Sequence, residues 1–168
     1  LFEHCRRALE RGLTAGPHGL PLMGTADWND GMDRVGVAGT GESVWLAWFL
    51  VDVLQRMCEL SELQGLPELG RSYERQRAAL IQRVEESAWD GQWYLRAFFD
   101  DGTPLGSSAS QEAKIDCLPQ SWACLSGAAE AGRVKTAMQA VSQHLVREDE
   151  GLVLLFTPPI DTMEPSPG

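Results

Sequence analysis

No stretch of this sequence approaches the roughly 20 consecutive apolar residues that a membrane-spanning helix requires. Positive charge is scarce: 14 Lys and Arg stand against 24 Asp and Glu, and the net charge of −10 argues against nucleic acid, whose phosphates need a basic surface. Metal-binding spacing is missing as well. The four cysteines, Cys5, Cys58, Cys117 and Cys124, form no C-x-x-C pair, and His4, His18 and His144 are scattered. The cysteines read as reduced thiols, mostly in the core, and no metal site is expected. Strand–helix–strand alternation is absent too, which excludes a dinucleotide-binding unit. No signal-peptide pattern stands at Leu1. The chain opens inside an amphipathic pattern and closes on Thr157-Pro158-Pro159 through Gly168, which finishes no element. It therefore reads as a piece of a longer protein.

What is present is enough apolar residue for a core, 43%, with six Trp. The chain is organised around His18 to Phe49. Its centre, Thr25-Ala26-Asp27-Trp28-Asn29-Asp30-Gly31-Met32-Asp33-Arg34, sets three carboxylates around one Trp and one Asn, with Gly24, Gly31, Gly36, Gly39 and Gly41 around them. Such a segment is a poor helix and a poor strand, and it reads as a constrained loop presenting polar side chains. Val44 to Val51 follows, apolar on every side and expected to be buried all round.

Around this loop the periodicity predicts five helices. They cover Leu1–Thr14, Glu42–Leu63 with Thr40 or Ser43 as N-cap, Pro67–Ala88, Pro119–Ala131 ended by Gly132, and Arg133–Arg147. Gln92–Phe99 reads as a strand, Asp101-Gly102 as a hairpin turn, and Gly151–Phe156 as a short strand or extended piece. A buried helix followed by a half-exposed one suggests an inner and an outer layer.

Two readings of Asp27-Trp28-Asn29-Asp30 stand side by side. In one it is a sugar site: Trp stacks on a pyranose face and a carboxylic acid protonates a glycosidic oxygen. In the other it is a loop whose Asp and Asn side chains only cap backbone amides. A calcium loop begun at Asp27 would place Gly31 at position five and Ala38 at position twelve, and the pattern fails. Gly36-x-x-Gly39-x-Gly41 before a helix could cradle phosphate, but no strand precedes it and no Lys follows, so a flexible entry to the helix is the simpler reading. Trp45 and Trp48, among apolar neighbours, read as core.

His18–Gly24, Ala26–Met32 and Gly41–Trp45 together resemble glycoside hydrolase family 94, and Gly91–Gly102, Ile115-Asp116, Gln120-Ser121-Trp122 and Leu125-Ser126-Gly127 agree in collinear order. That family holds disaccharide phosphorylases and the C-terminal region of cyclic β-1,2-glucan synthases, and the wording here looks closest to the latter branch. The resemblance implies a mainly α chain: residues 1–168 as part of an (α/α)6 barrel catalytic domain, truncated at both ends, with a minor β-hairpin. It implies inverting chemistry on β-glucosides with inorganic phosphate as co-substrate and no cofactor. Asp30 matches the family's general acid, and Trp28 a wall of the sugar subsite beside the cleaved bond. Asp27, Glu42, Arg96 and Gln120 are candidates for hydroxyl contacts or for supports of the loop. The expected partners are an oligosaccharide or glucan, phosphate and the remainder of the parent chain, with a homodimer of the parent as a candidate assembly. The expected location is the cytoplasm, or the cytoplasmic face of the inner membrane for a glucan synthase parent. This sequence departs from the glucan synthase pattern at Ala113-Lys114, where Cys-Arg is usual, and at Pro119, where Ala is usual. The blocks that hold phosphate in the family are expected after Gly168. Two rivals remain: an inverting hydrolase using Glu42 or Asp116 to activate water, and a non-catalytic carbohydrate-binding helical module that keeps Trp28.

Overall fold

A computed structural model describes residues 1–168. Five helices carry the fold: α1 (Phe2–Gly12), α2 (Val44–Leu63), α3 (Pro67–Ser87), α4 (Cys117–Leu125) and α5 (Ala131–His144). The chain is mainly helical with short strands, but its five helices do not close into a ring. No helix is long and apolar enough to cross a membrane.

The central pair is α2 and α3, joined by Gln64–Leu66 and packed against each other along their lengths. Ser43 caps α2, its Oγ accepting from the Leu46 amide at 3.2 Å, which chooses between the two caps the sequence offered. Pro67 opens α3, where its missing N–H costs nothing. The main core of 23 buried residues lies beneath this pair and includes Trp48, Leu54, Tyr73, Val84, Tyr94 and Ile115. Trp48 is fully buried and meets Tyr94 edge-on at 5.3 Å.

The structure departs from the sequence expectations at several points. The first turns of α2 are not buried on all sides: Trp45, Leu46 and Phe49 stay half-exposed, Trp45 and Phe49 grouping with Trp122 of α4. The cysteines are unpaired, but Cys5 and Cys124 are exposed and the other two only half-buried, because little packs over α1 or the outer side of α4. Helix α4 begins at Cys117, two residues before Pro119, since Asp116 caps it by accepting from the Leu118 amide at 2.8 Å. Gly127, at φ +62°, lies just past its end, and Gly132 sits inside the first turn of α5, which Glu130 caps through the amides of Gly132 and Arg133.

The predicted strand 92–99 pairs only at Ala97–Phe98. This is β2, the centre of an antiparallel sheet between β1 (Glu42–Ser43) and β3 (Pro104–Leu105). Asp101-Gly102 makes the turn to β3, with Gly102 at φ +84° and the Thr103 amide donating to Asp101. Further on, β4 (Ile115–Asp116) pairs with β7 (Phe156–Thr157), and β5 (Val146–Arg147) with β6 (Leu152–Val153). The small β1–β2–β3 sheet positions the site. A second cluster of seven buried residues sits against it, Met23, Met32, Val35, Ala97, Phe99, Leu105 and Ala113, with Phe156 and Ile160 packed on its flank.

Candidate active site

The loop from Gly24 to Val35 has no regular structure, so its shape comes from side-chain anchors. Asp27 is the first. Its carboxylate takes a bidentate pair from Arg96, Nη1 to Oδ2 at 2.7 Å and Nη2 to Oδ1 at 2.6 Å. Ser43 Oγ donates to Oδ2 at 2.7 Å, and the Asn29 amide to Oδ1 at 3.0 Å. Burial alone would raise the Asp27 pKa, but Arg96 and these donors outweigh it and hold the carboxyl below its ordinary value. Met32 is the second anchor, buried in the small cluster with Met23 and Val35. Between the anchors Asn29 Oδ1 accepts the Gly31 amide at 3.1 Å, and the Met32 amide closes a turn on the Asn29 carbonyl.

Two side chains between the anchors are left facing out. Trp28 is 59% exposed, and Asp30 is exposed with no intramolecular partner for its carboxylate. Both therefore reach solvent from the stretch of loop between its two anchors. Beside them a cleft of about 320 Å³ is lined by Asn29, Gly31, Met32, Phe156, Pro159 and Ile160 among others, within the usual range of ligand sites, about 300–1,000 Å³. A larger groove of about 450 Å³ between α1 and α2 is almost wholly apolar and has no group suited to a sugar hydroxyl beyond Arg56.

The other sequence candidates lie inside. Glu42 is fully buried and accepts from the amides of His18 and Leu20, at 3.0 and 2.9 Å, and from the His18 ring. The His18 ring stacks on Phe98 with centroids 3.9 Å apart. A Cβ on Gly16 would stand 2.4 Å from the Glu42 side chain, so glycine is the residue that fits there. Gln120, also buried, accepts from the Tyr94 amide at 2.9 Å and donates to the carbonyls of Tyr94 and Asp116. Arg96 is fully buried, with Asp27 on one side and Asp116 on the other, its Nε 3.3 Å from Asp116 Oδ2.

The glycine-rich segment is engaged from within the chain. The Asp100 carboxylate accepts the amides of Ala38, Thr40 and Gly41 at 2.7–2.8 Å, filling the anion-binding concavity in which phosphate was considered. A Cβ on Gly41 would lie 2.3 Å from the Val35 carbonyl, so the loop crosses itself only through glycine. Sequence reasoning missed Asp100, and it missed Ser43 as a partner of the acid loop. Neither carries a local signal, since Asp100 lies 59–62 residues from the amides it binds.

Comparison with known proteins places the chain in a family. A sequence model of the Glycosyl hydrolase 94 superfamily, catalytic domain, matches residues 1–168. The cyclic beta-(1,2)-glucan synthase NdvB of Rhizobium meliloti (strain 1021) is 43% identical over the whole chain, which covers 6% of that protein. A 3-O-beta-D-glucopyranosyl-beta-D-glucuronide phosphorylase of Paenibacillus borealis is 37% identical over 75% of the chain and 16% of its own length. A cellobionic acid phosphorylase of Neurospora crassa is 30% identical over the whole chain and 21% of its own length. The chain thus spans about a fifth or less of these relatives. With a match along its full length and such relatives, the chain belongs to the Glycosyl hydrolase 94 superfamily, within its catalytic domain.

Proposed function

We propose that this chain is the acid-bearing part of an inverting glycoside phosphorylase-type catalytic domain, contributing a segment of a larger (α/α)6 barrel. The carrying observation is the display of Trp28 and Asp30 between the anchors Asp27 and Met32, in a member of this superfamily. In the proposed reaction a phosphate oxygen attacks the anomeric carbon of a β-glucoside from the face opposite the leaving group. The glycosidic bond breaks as Asp30 gives its proton to the departing oxygen, yielding a sugar 1-phosphate and a free hydroxyl. Phosphate brings its own nucleophilic oxygen, so one carboxyl suffices where an inverting hydrolase needs two. Trp28 offers its face to the apolar side of a pyranose. The phosphate-holding groups are proposed to lie elsewhere in the parent chain. A β-1,2-glucan is the leading substrate, on the similarity to the glucan synthase, and a cello- or related oligosaccharide the second.

The burial of Glu42 and Asp116, each with protein donors or Arg96 against it, disfavours either as the water-activating base of a hydrolase. The deciding experiment is Asp30→Asn in the full-length protein. Phosphate-dependent release of sugar 1-phosphate, and the reverse synthesis from sugar 1-phosphate and an acceptor sugar, should each fall about 10²–10⁴-fold while folding and sugar binding persist, the usual scale of general acid catalysis. Retained turnover would remove Asp30 from the mechanism.

A further inference from the structure

Arg96 sits where three separate pieces of chain meet. Its guanidinium is fully buried, forks onto both oxygens of Asp27 in the acid loop, and lies 3.4 Å from Ser43 Oγ at the start of α2. Its Nε faces Asp116 Oδ2 at 3.3 Å, at the residue that caps α4. Neither of those last two atoms has a hydrogen-bond partner, so the Asp116 contact is charge against charge without a directed bond. The directed bonds all run to Asp27 and Ser43. The backbone of Arg96 is itself fixed, its amide donating to the Leu105 carbonyl and its carbonyl accepting from Val44. A rigid, planar fork on a pinned backbone defines the position and the plane of the Asp27 carboxylate, and with it the chain two and three residues on.

We infer that Arg96 is the positioning residue of the acid loop: through its bidentate pair with Asp27 it sets where Asp30 stands relative to the glycosidic oxygen, without touching the sugar. This rests on the reading of Asp30 as proton donor. Fully buried between two carboxylates, Arg96 has no path to a substrate hydroxyl, which separates this role from hydroxyl binding. Lysine would keep the charge but offer a single ammonium point in place of the planar fork, so Arg96→Lys loosens the loop while leaving the net buried charge unchanged.

The test uses the full-length protein and two substrates: the oligosaccharide, whose leaving sugar needs a proton, and a β-glucoside of dinitrophenol, whose leaving group departs with little help. With Arg96→Lys, kcat on the oligosaccharide should fall at least about tenfold with KM within about threefold, whereas kcat on the dinitrophenyl glucoside should fall less than about threefold. Asp27→Asn, nearly isosteric, should show the same pattern and carries the test if Arg96→Lys does not fold. Asp30→Asn runs alongside. Equal losses on both substrates in the Arg96 and Asp27 variants, with a leaving-group dependence in Asp30→Asn, overturn the positioning role alone. A raised KM with unchanged kcat overturns it in favour of substrate contact. If Asp30→Asn itself shows no leaving-group dependence, the acid assignment falls and this inference falls with it.

Discussion

The Asp100 carboxylate holds Thr40 twice, Oδ1 accepting both its amide at 2.8 Å and its hydroxyl at 3.1 Å. With the amides of Ala38 and Gly41 added, a side chain on the hairpin ties down the glycine-rich entry to α2. Burial works to raise the Asp100 pKa, but the Ala38, Thr40 and Gly41 amides prevail and hold it below the ordinary value. A depressed carboxyl stabilises the fold above its unfolded pKa, near 4, and that contribution is lost as pH falls through the lower folded value.

Asp100→Asn should therefore cost about 1–2 kcal/mol at pH 7, on the scale of charge-assisted hydrogen bonds screened by solvent. The gap from the unmutated protein should shrink toward pH 3. Urea midpoints of both proteins at the two pH values check this, and a gap that persists unchanged into acid would assign the loss to shape instead of charge.

Asp116 has the opposite sign. Burial pushes its carboxyl up to about 6, with Arg96 and the Leu118 amide pulling down and Asp27 pushing up. A carboxyl raised on folding favours the protonated fold, so its contribution grows as pH drops from above 6 toward 4 and is a penalty above 6. At about 1.4 kcal/mol per pKa unit, the span is on the order of 2–3 kcal/mol. Stability at pH 5 relative to pH 7.5 should be higher in the unmutated protein than in Asp116→Asn, as measured by chemical denaturation. Identical pH slopes in the two would contradict the assignment.

Trp28 and Trp48 should behave oppositely. Trp48→Ala empties a fully buried site and should cost about 3–5 kcal/mol. Trp28→Ala removes a ring that is 59% exposed. It should leave the melting temperature within a few degrees and lower kcat/KM in the full-length protein by tenfold or more, on the scale of a lost stacking contact and the orientation it gives. Melting and kinetics measured on the same preparations decide. A large melting shift for Trp28→Ala with normal kinetics in the folded fraction would return it to the core.

The groove between α1 and α2 exposes apolar surface from Leu46, Phe49 and Val53, and surfaces of that kind drive association. The 168-residue chain by itself should be oligomeric or poorly soluble and should show no phosphorolysis. The double change Phe49→Gln, Val53→Gln should shift it toward monomer in size-exclusion chromatography with light scattering. A monodisperse monomer before the change would refute the expectation.

The helices were legible because each has its own apolar stripe, and α1, α2 and α3 lie within two residues of the limits their periodicity suggests. The junction of α4 and α5 was not, since two glycines stand five residues apart and the true stop depends on which one reaches positive φ. The extent of β2 was hidden for a related reason: its partners β1 and β3 are each two residues long, and nothing in QWYLRAFF reports that. Within the site, composition marked the Asp27-Trp28-Asn29-Asp30 block, and the family resemblance alone picked Asp30 from its neighbouring carboxylates. The burial of Asp27, Glu42, Arg96 and Gln120 was not legible, because a pairing such as Asp27 with Arg96 spans 69 residues and depends on the sheet being built.

That span leads us to expect an order of events. The α2–α3 hairpin closes through a three-residue link and draws on near neighbours in the chain, whereas the bidentate anchor of the acid loop joins residues 69 apart, with α2 and α3 between them. Distant closures carry the larger entropic cost and form late. Amide protons of the acid loop should therefore exchange with solvent long before those of α2 and α3, through a partial opening that frees Asp27 while the helical pair stays intact. The part of the molecule that holds Asp30 would be the last to assemble and the first to let go, so heat or denaturant would silence it at doses that leave most of the helical signal untouched.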